Sequence, residues 1–223
     1  MLVSHRHRFI YLKTRKTAGT SVEIYFEPFC WNPAIPFVEQ HQRDEEVTEW
    51  GIIGSRGMPV EGRTWINHLP ASGIRELIGE EIFNRYYKFC VIRNPFDKAV
   101  SGFWFWATPE KRLALKNAPF TFVRQSFERW TSRRAMPTDR IVYTIDGTPV
   151  ANSYIRHESL AADMETVCHD LGVPWEPERL KRYKSDTRLR DEPFNEYYTN
   201  ESVRNVSACF AWDLAHFRYP DPI

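Results

Sequence analysis

The stretch Phe9-Ile-Tyr-Leu-Lys-Thr-Arg-Lys16-Thr17-Ala-Gly19-Thr20-Ser21 carries the strongest structural signal of the chain. It predicts a short apolar strand over about residues 8–13, a turn of small and basic residues, and a helix from about 20 to 27. The N–H groups in the first turn of a helix have no acceptor inside the helix, and the helix dipole favours negative charge there. The stretch therefore predicts a phosphate-binding turn between a strand and a helix.

The order of residues in this turn differs from that of nucleotide triphosphatases. The Walker pattern places its Lys after the second glycine, beside a hydroxyl that binds Mg²⁺. Here Lys16 precedes Gly19. This order favours phosphate binding without metal-dependent triphosphate chemistry, and the simpler alternative is a solvated basic turn.

Length and composition narrow the class of protein. The 223 residues fit one α/β domain over 1–223, with a Pro- and Gly-rich irregular insertion or cap at 28–63. The net charge of +1 argues against a nucleic acid or a membrane as partner. The four cysteines are widely spaced, at Cys30, Cys90, Cys168 and Cys209. Without a C-x-x-C pair or a signal peptide, we expect reduced thiols, no metal site and a cytoplasmic protein.

Strand and helix patterns alternate along the rest of the chain. Tyr87–Ile92 is the best candidate for a buried strand, and Pro95 suits the first turn of a helix that runs to Trp106. Other predicted helices begin near Ala71 and cover about 80–85, 119–132, 159–171 and 199–216. A short strand is predicted over 63–67, and a hairpin of residues 139–145 and 150–156 around Asp146-Gly147. The alternation predicts an α/β fold with three layers, P-loop-like, in which helices flank a central, mostly parallel sheet.

A second candidate phosphate site follows the predicted strand Tyr87–Ile92. An Arg at the carboxyl end of a parallel strand points into the crevice where such sheets bind ligands. Arg93 would offer a forked donor to a phosphate, and Ser101, about two helical turns later, a hydroxyl. The structural alternative is an Arg that pairs with Asp97.

Together, the two motifs make the chain similar to a known family. K-T-x-K-T-A-G-T-S, followed by F-x-V-I-R-N-P-F-D-x-x-V-S, resembles the sulfotransferases, in particular the branch with carbohydrate 2-O-sulfotransferases and bacterial homologues. The segment Trp65–Ala71 resembles the histidine segment of that family. The segment 154–160 resembles the strand end with the pattern R-F-E-x-L, and His157 stands where the family usually has an aromatic residue. The segment 211–219 resembles its terminal D-x-x-x-F-G-Y, with Arg218 in place of Gly.

The resemblance implies a co-substrate and the residues that bind it. These enzymes use 3′-phosphoadenosine 5′-phosphosulfate (PAPS), release the 3′,5′-bisphosphate (PAP) and need no metal. The first motif would bind the 5′-phosphosulfate and the second the 3′-phosphate, with help from a K-S-x-x-R loop. The implied PAPS-binding residues are Arg15, Lys16, Thr17, Gly19, Thr20, Ser21, Arg93, Ser101, Lys184, Ser185 and Arg188.

Two residues carry the implied chemistry. Lys16 would stabilise charge on the leaving phosphate, and His68 would take the proton of the acceptor hydroxyl, because imidazole titrates near neutral pH. The expected acceptor is a saccharide or small metabolite, and the sequence indicates no oligomeric state. Two alternatives are a P-loop kinase and a non-catalytic nucleotide- or RNA-binding module. The Lys16–Gly19 order disfavours the first, and the low net charge the second.

Overall fold

The computed structural model of the protein describes residues 1–133, 136–183 and 187–222. The described chain divides into two compact units, each made of two segments. The first unit takes Met1–Ile92 and Asp139–Tyr183, and the second takes its described residues from 93–138 and 184–223. The single domain expected over 1–223 stays a prediction.

The first unit contains a six-stranded sheet in the order β3-β4-β1-β2-β5-β8. Its strands are β1 (Leu2–Ser4), β2 (Phe9–Leu12), β3 (Glu46–Val47), β4 (Gly51–Ile53), β5 (Tyr87–Ile92) and β8 (Ser153–Arg156). The strands β6 (Thr144–Ile145) and β7 (Thr148–Pro149) form a separate hairpin.

The α/β class with a central, helix-flanked sheet is confirmed, but the mostly parallel direction is wrong. Within the described ranges, β2 pairs parallel with β5 and β5 with β8, whereas the other three pairings are antiparallel. The antiparallel part comes from β1, which turns directly into β2, and from β3 and β4, which lie inside the segment 28–63 expected to be irregular. Strands of two or three residues are too short to show an alternating pattern in the sequence.

Helices cover both faces of this sheet. Phe9, Tyr11, Phe89 and Val91 share one apolar cluster with residues of α1 (Gly19–Phe26) and α8 (Leu160–Leu171). From the opposite face, the Lys88 ammonium donates to the carbonyl oxygen of Phe83 at 2.8 Å. This bond places α3 (Glu80–Arg85) on that side, so the first unit has the three expected layers.

Most predicted elements of the first unit are confirmed. The strands β2 and β5, the helices α1, α3 and α8, and α2 (Ala71–Ile78) lie where the sequence predicts them. Residues 63–67 form no strand, because the backbone of Trp65 is bonded elsewhere. The Trp65 N–H binds the Glu45 carboxylate, and the Trp65 carbonyl accepts from the Ser55 N–H at 2.7 Å.

The predicted hairpin around Asp146-Gly147 is shorter than expected. Only β6 and β7 form it, after the short helix α7 (Arg140–Tyr143). The strand β8 joins β5 instead. Asn152 fixes this pairing, because its N–H and its side-chain oxygen bond to the backbone of Lys88 at 2.7 and 2.8 Å.

The described part of the second unit is helical. It consists of α4 (Pro95–Trp106), α5 (Pro109–Asn117), α6 (Phe120–Thr131), α9 (Asn200–Cys209) and α10 (Ala211–Phe217). The helix α5 was not predicted, and the predicted helix 199–216 is interrupted at Phe210. Trp104 is fully buried and donates from its indole N–H to the Tyr197 hydroxyl at 3.3 Å, so this aromatic belongs to the core.

Three further observations concern the described residues. Across 1–133, 136–183 and 187–222, no helix has the length and apolarity needed to cross a membrane. Over the same ranges, no cluster of His, Cys, Asp and Glu is arranged to hold a metal ion. The four cysteines form no disulfide with one another, and three of them are buried.

Candidate active site

The turn between β2 and α1 folds tightly back on the strand it leaves. Lys16 and Ala18 both have left-handed backbone, with φ of 57° and 61°. The Ser21 N–H closes the first turn on the Ala18 carbonyl at 2.9 Å. A Cβ on Gly19 would lie 3.1 Å from the Thr14 carbonyl oxygen, a tight contact that favours glycine there. This geometry puts the N-terminus of α1 directly after the turn, a position where the N–H groups of a helix can bind an anion.

Hydroxyl groups fix the turn to the neighbouring strand. The Thr14 hydroxyl donates to the Val91 carbonyl of β5 at 2.5 Å and lies 2.7 Å from the Thr17 hydroxyl. Thr17 is fully buried, and the Ser21 hydroxyl accepts from the Tyr183 N–H at 3.3 Å. The Thr17 hydroxyl therefore holds the turn itself, whereas the Ser21 hydroxyl accepts from Tyr183 and keeps its O–H as a possible donor to an anion, beside the backbone N–H groups.

Asp139 holds the same turn from a distant part of the sequence. Its carboxylate accepts from the Arg15 N–H at 2.8 Å and pairs with the Arg15 guanidinium at 3.2 Å. Asp139 is fully buried, so the charge-assisted bond is shielded from water. Asp139 was not predicted as a site residue, and its only signal in the sequence is an acid at the start of the predicted hairpin segment 139–145.

His68 lies beside the start of the turn. Its Nδ1 is 3.0 Å from the Lys13 carbonyl oxygen, which can only accept, so Nδ1 carries the proton and Nε2 the lone pair. Burial and, next, the charge of Lys13 lower the pKa of His68 to about 4. The imidazole is therefore neutral near pH 7, with a nitrogen able to accept a proton.

A buried ionic cluster lies behind the turn. The Lys13 ammonium donates to Glu23 at 2.5 Å and to the Asn67 side-chain oxygen at 2.7 Å, and Arg56 binds Glu23 at 2.7 Å. Burial alone would raise the pKa of Glu23, but Lys13, the Met1 amino group and Arg56 together lower it. Arg56 is fully buried and also binds the Glu27 carboxylate, so the segment 28–63 is anchored on α1.

In the second unit, the predicted residues meet at one carboxylate. Arg93 donates to Asp97 through Nε and through NH2, at 2.8 and 2.7 Å, and the Arg188 guanidinium lies 3.6 Å from the other oxygen of Asp97. Ser101 follows Asp97 by one turn of α4 and so shares its face of the helix. The Nε of Arg188 is buried and has no acceptor in the part of the chain that the structure describes.

The structure thus brings the predicted residues together within two groups. Arg15, Lys16, Thr17, Gly19, Thr20 and Ser21 form the turn in the first unit, with His68 beside it. In the second unit, Arg93 and Arg188 meet at Asp97, and Ser101 lies one turn further along α4. Lys184 and Ser185 lie outside the described residues. The ion pair considered as the alternative role of Arg93 is present, and phosphate binding by Arg93 stays a prediction.

Comparisons with known proteins gave one match, to a family model. Searches of curated proteins and of solved structures gave no significant match. The family model described as "Sulfotransferase family" matches residues 1–220, which span the turn, His68, Arg93 and Arg188. The chain therefore belongs to the sulfotransferase family.

Proposed function

We propose that the protein transfers a sulfuryl group from PAPS to a hydroxyl of a saccharide or small metabolite, as carbohydrate 2-O-sulfotransferases do. Membership of the family supports sulfuryl transfer in general. The observation that carries the finer proposal is the neutral His68, held by the Lys13 carbonyl three residues before Lys16. A base and a cation so close to an anion-binding turn match the two needs of the reaction.

The residues of each unit fit the charges of PAPS. In the first unit, the N-terminus of α1, together with Lys16, would bind the 5′-phosphosulfate. In the second, Arg93, Ser101 and Arg188 would bind the 3′-phosphate. The buried Arg188 Nε, which lacks an acceptor among the described residues, supports an anionic ligand there. PAPS, when bound, supplies the activated sulfuryl group.

The step itself balances without another reactant. The acceptor oxygen forms a bond to sulfur, while the bond between sulfur and the bridging phosphate oxygen breaks. The acceptor proton moves to Nε2 of His68, and PAP leaves with the electron pair of the broken bond. Lys16 would stabilise the negative charge on that phosphate, a role worth several kcal/mol at preorganised sites.

Thermal denaturation with different nucleotides tests the choice of donor. PAP should raise the melting temperature, because a ligand of the native state stabilises it by mass action, whereas ATP with Mg²⁺ should raise it less. A shift with ATP and Mg²⁺ alone would contradict the proposal and favour a kinase. A PAPS-fed screen of saccharides and metabolites, read by the mass gained, identifies the acceptor.

Two substitutions test the chemical roles. Both Lys16→Ala and His68→Ala should reduce turnover by at least about a hundredfold. PAP affinity should stay nearly unchanged in His68→Ala, since the imidazole does not take part in nucleotide binding. Loss of PAP binding in His68→Ala would mean that the residue is structural and would remove it as the base.

A further inference from the structure

We propose that Lys13 is a positioning residue for His68, and that the Glu23–Lys13–Asn67 cluster fixes the base relative to the phosphate-binding turn. This inference rests on the proposed function, because it assumes that His68 is the base. It assigns a task to a buried lysine that the reaction itself does not use. Three features of the first unit carry it.

The first feature is that Lys13 binds two consecutive residues. Its carbonyl accepts from the His68 imidazole at 3.0 Å, and its ammonium donates to the Asn67 side chain at 2.7 Å. The carbonyl fixes the tautomer of the ring, while the ammonium holds the side chain of the residue just before it. A residue that only filled space would not need both bonds.

The second feature is the backbone of His68. Its φ of 61° lies in the left-handed region, which is unfavourable for a non-glycine residue and persists only where the surroundings enforce it. Residues 63–67 before it form neither helix nor strand. The bonds from Lys13 therefore supply a restraint that regular secondary structure does not.

The third feature is that Lys13 is itself held by the helix after the turn. Its ammonium lies 2.5 Å from Glu23 of α1, and Glu23 also binds Arg56 at 2.7 Å. Lys13 and Glu23 are both buried. Because α1 begins at the phosphate-binding turn, the cluster links the position of that helix to the position of the base.

The same arrangement sets the charge around the imidazole. The cations Lys13 and Arg15 disfavour protonation of His68, and the carboxylate of Asp139 favours it. Lys13 has the largest effect among these charges. Removing its ammonium should therefore make His68 easier to protonate, which a purely structural lysine would not do.

Two variants separate position from charge. Lys13→Met keeps the carbonyl bond but removes the charge and the contacts with Glu23 and Asn67, whereas Asn67→Ala removes only the contact between Lys13 and Asn67. The matched control is Lys88→Met, which removes another buried lysine of the first unit whose ammonium binds backbone carbonyl groups. The readouts are the NMR titration of His68, kcat, and the Kd for PAP.

We expect Lys13→Met to raise the midpoint of the His68 titration by on the order of one pH unit and to lower kcat roughly tenfold or more. Asn67→Ala should lower kcat with no shift in the titration. In Lys88→Met, the His68 titration and kcat should both stay as in the wild type. The Kd for PAP should remain within about threefold in Asn67→Ala.

Two results would overturn the inference. One is an unchanged His68 titration in Lys13→Met, and the other is an unchanged kcat in Asn67→Ala. If Lys13→Met does not fold, the kcat of Asn67→Ala decides. Failure of the proposed function has a different signature, because the wild-type protein would then transfer no sulfuryl group while the titration still shifts in Lys13→Met.

Discussion

The two candidate phosphate-binding regions are built from different kinds of contact. In the first unit, the Lys16 turn is fixed by buried groups that bind backbone atoms, such as Thr14 on the Val91 carbonyl and Asp139 on the Arg15 N–H. In the second unit, Arg93 and Arg188 are partly exposed side chains that meet at Asp97. Bonds to backbone atoms hold the first region together, whereas ion pairs between side chains hold the second.

This difference suggests a division of labour. Backbone restraints in a dry environment hold atoms to within a fraction of an ångström, which the reacting bond requires. Ion pairs between long side chains adapt to a ligand and mainly add affinity. Substitutions in the first region should therefore alter kcat and stability, whereas those in the second should alter nucleotide affinity.

The largest expected effect tests the second region. Arg93→Ala should weaken PAP binding by about 1.5–3 kcal/mol, roughly tenfold to a hundredfold in Kd, because a charge-assisted bond is lost. Adenosine 5′-monophosphate, which lacks the 3′-phosphate, should bind wild type and variant equally. Isothermal titration calorimetry with both nucleotides measures the difference.

The conservative variant Arg93→Lys sharpens this test. Lysine keeps the charge but not the forked geometry, so its PAP affinity should fall between those of wild type and Arg93→Ala. Equal weakening of both nucleotides in Arg93→Ala would mean that Arg93 does not recognise the 3′-phosphate. The proposed contrast between the two regions would then lose its second half.

The next effect belongs to the first region. Asp139→Asn should lower the free energy of unfolding by about 1–3 kcal/mol, because a buried bond to the Arg15 N–H loses its charge assistance. It should also lower kcat, since the turn that carries Lys16 loses an anchor. Urea denaturation and steady-state kinetics measure both changes.

A control for this substitution is available in the same unit. Asp146→Asn changes an exposed turn residue with left-handed backbone, a conformation that asparagine also tolerates. The free energy of unfolding should therefore change by no more than about 0.5 kcal/mol. Equal losses in the two variants would show that Asp139 is an ordinary surface acid in energetic terms.

The buried base of the first region predicts a pH dependence. The pKa of His68 is about 4 in the folded protein and near 6.5 in an unfolded chain, so the unfolded state binds the proton first as the pH falls. Between pH 7 and 5, wild type should lose about 1–2 kcal/mol of stability more than His68→Gln does.

The pKa of His68 also determines the pH at which activity should fall on the acid side of the pH profile. Because His68 stays neutral above pH 4, kcat should fall only near that pH and not near 6.5. Arg93→Ala should follow the wild-type pH profile, since it leaves the base untouched. A limb near 6.5 would show that His68 is solvated in the working enzyme.

The sequence predicted the parts of this comparison that are local. The strands β2 and β5, the helix beginning at Pro95, and the turn with Lys16 each follow from a continuous pattern of a few residues. The groups that support them were not predictable in this way. Asp139 meets Arg15 across more than a hundred residues, and Arg56 reaches Glu23 from a segment without periodicity.

The prediction of a mostly parallel sheet was wrong for a related reason. The strands β3 and β4 are too short to show alternation, and β4 pairs with β1 while β3 pairs with β4. The resemblance to the family supplied His68, yet the tautomer and pKa of that residue depend on the Lys13 carbonyl and on burial. Pairings and titration properties of this kind arise from tertiary structure alone.

The smallest expected effect concerns backbone strain. In the first unit, the residues with left-handed backbone include Lys16 and His68, to which the proposed function assigns chemical roles. In the second, it occurs at Arg218, which ends α10 with φ of 56° and stands where the family pattern has glycine. Arg218→Gly should stabilise the protein by about 0.5–1 kcal/mol with kcat unchanged, and Arg218→Ala should not. Stabilisation by alanine as well would mean that loss of the arginine charge, and not the backbone, is responsible.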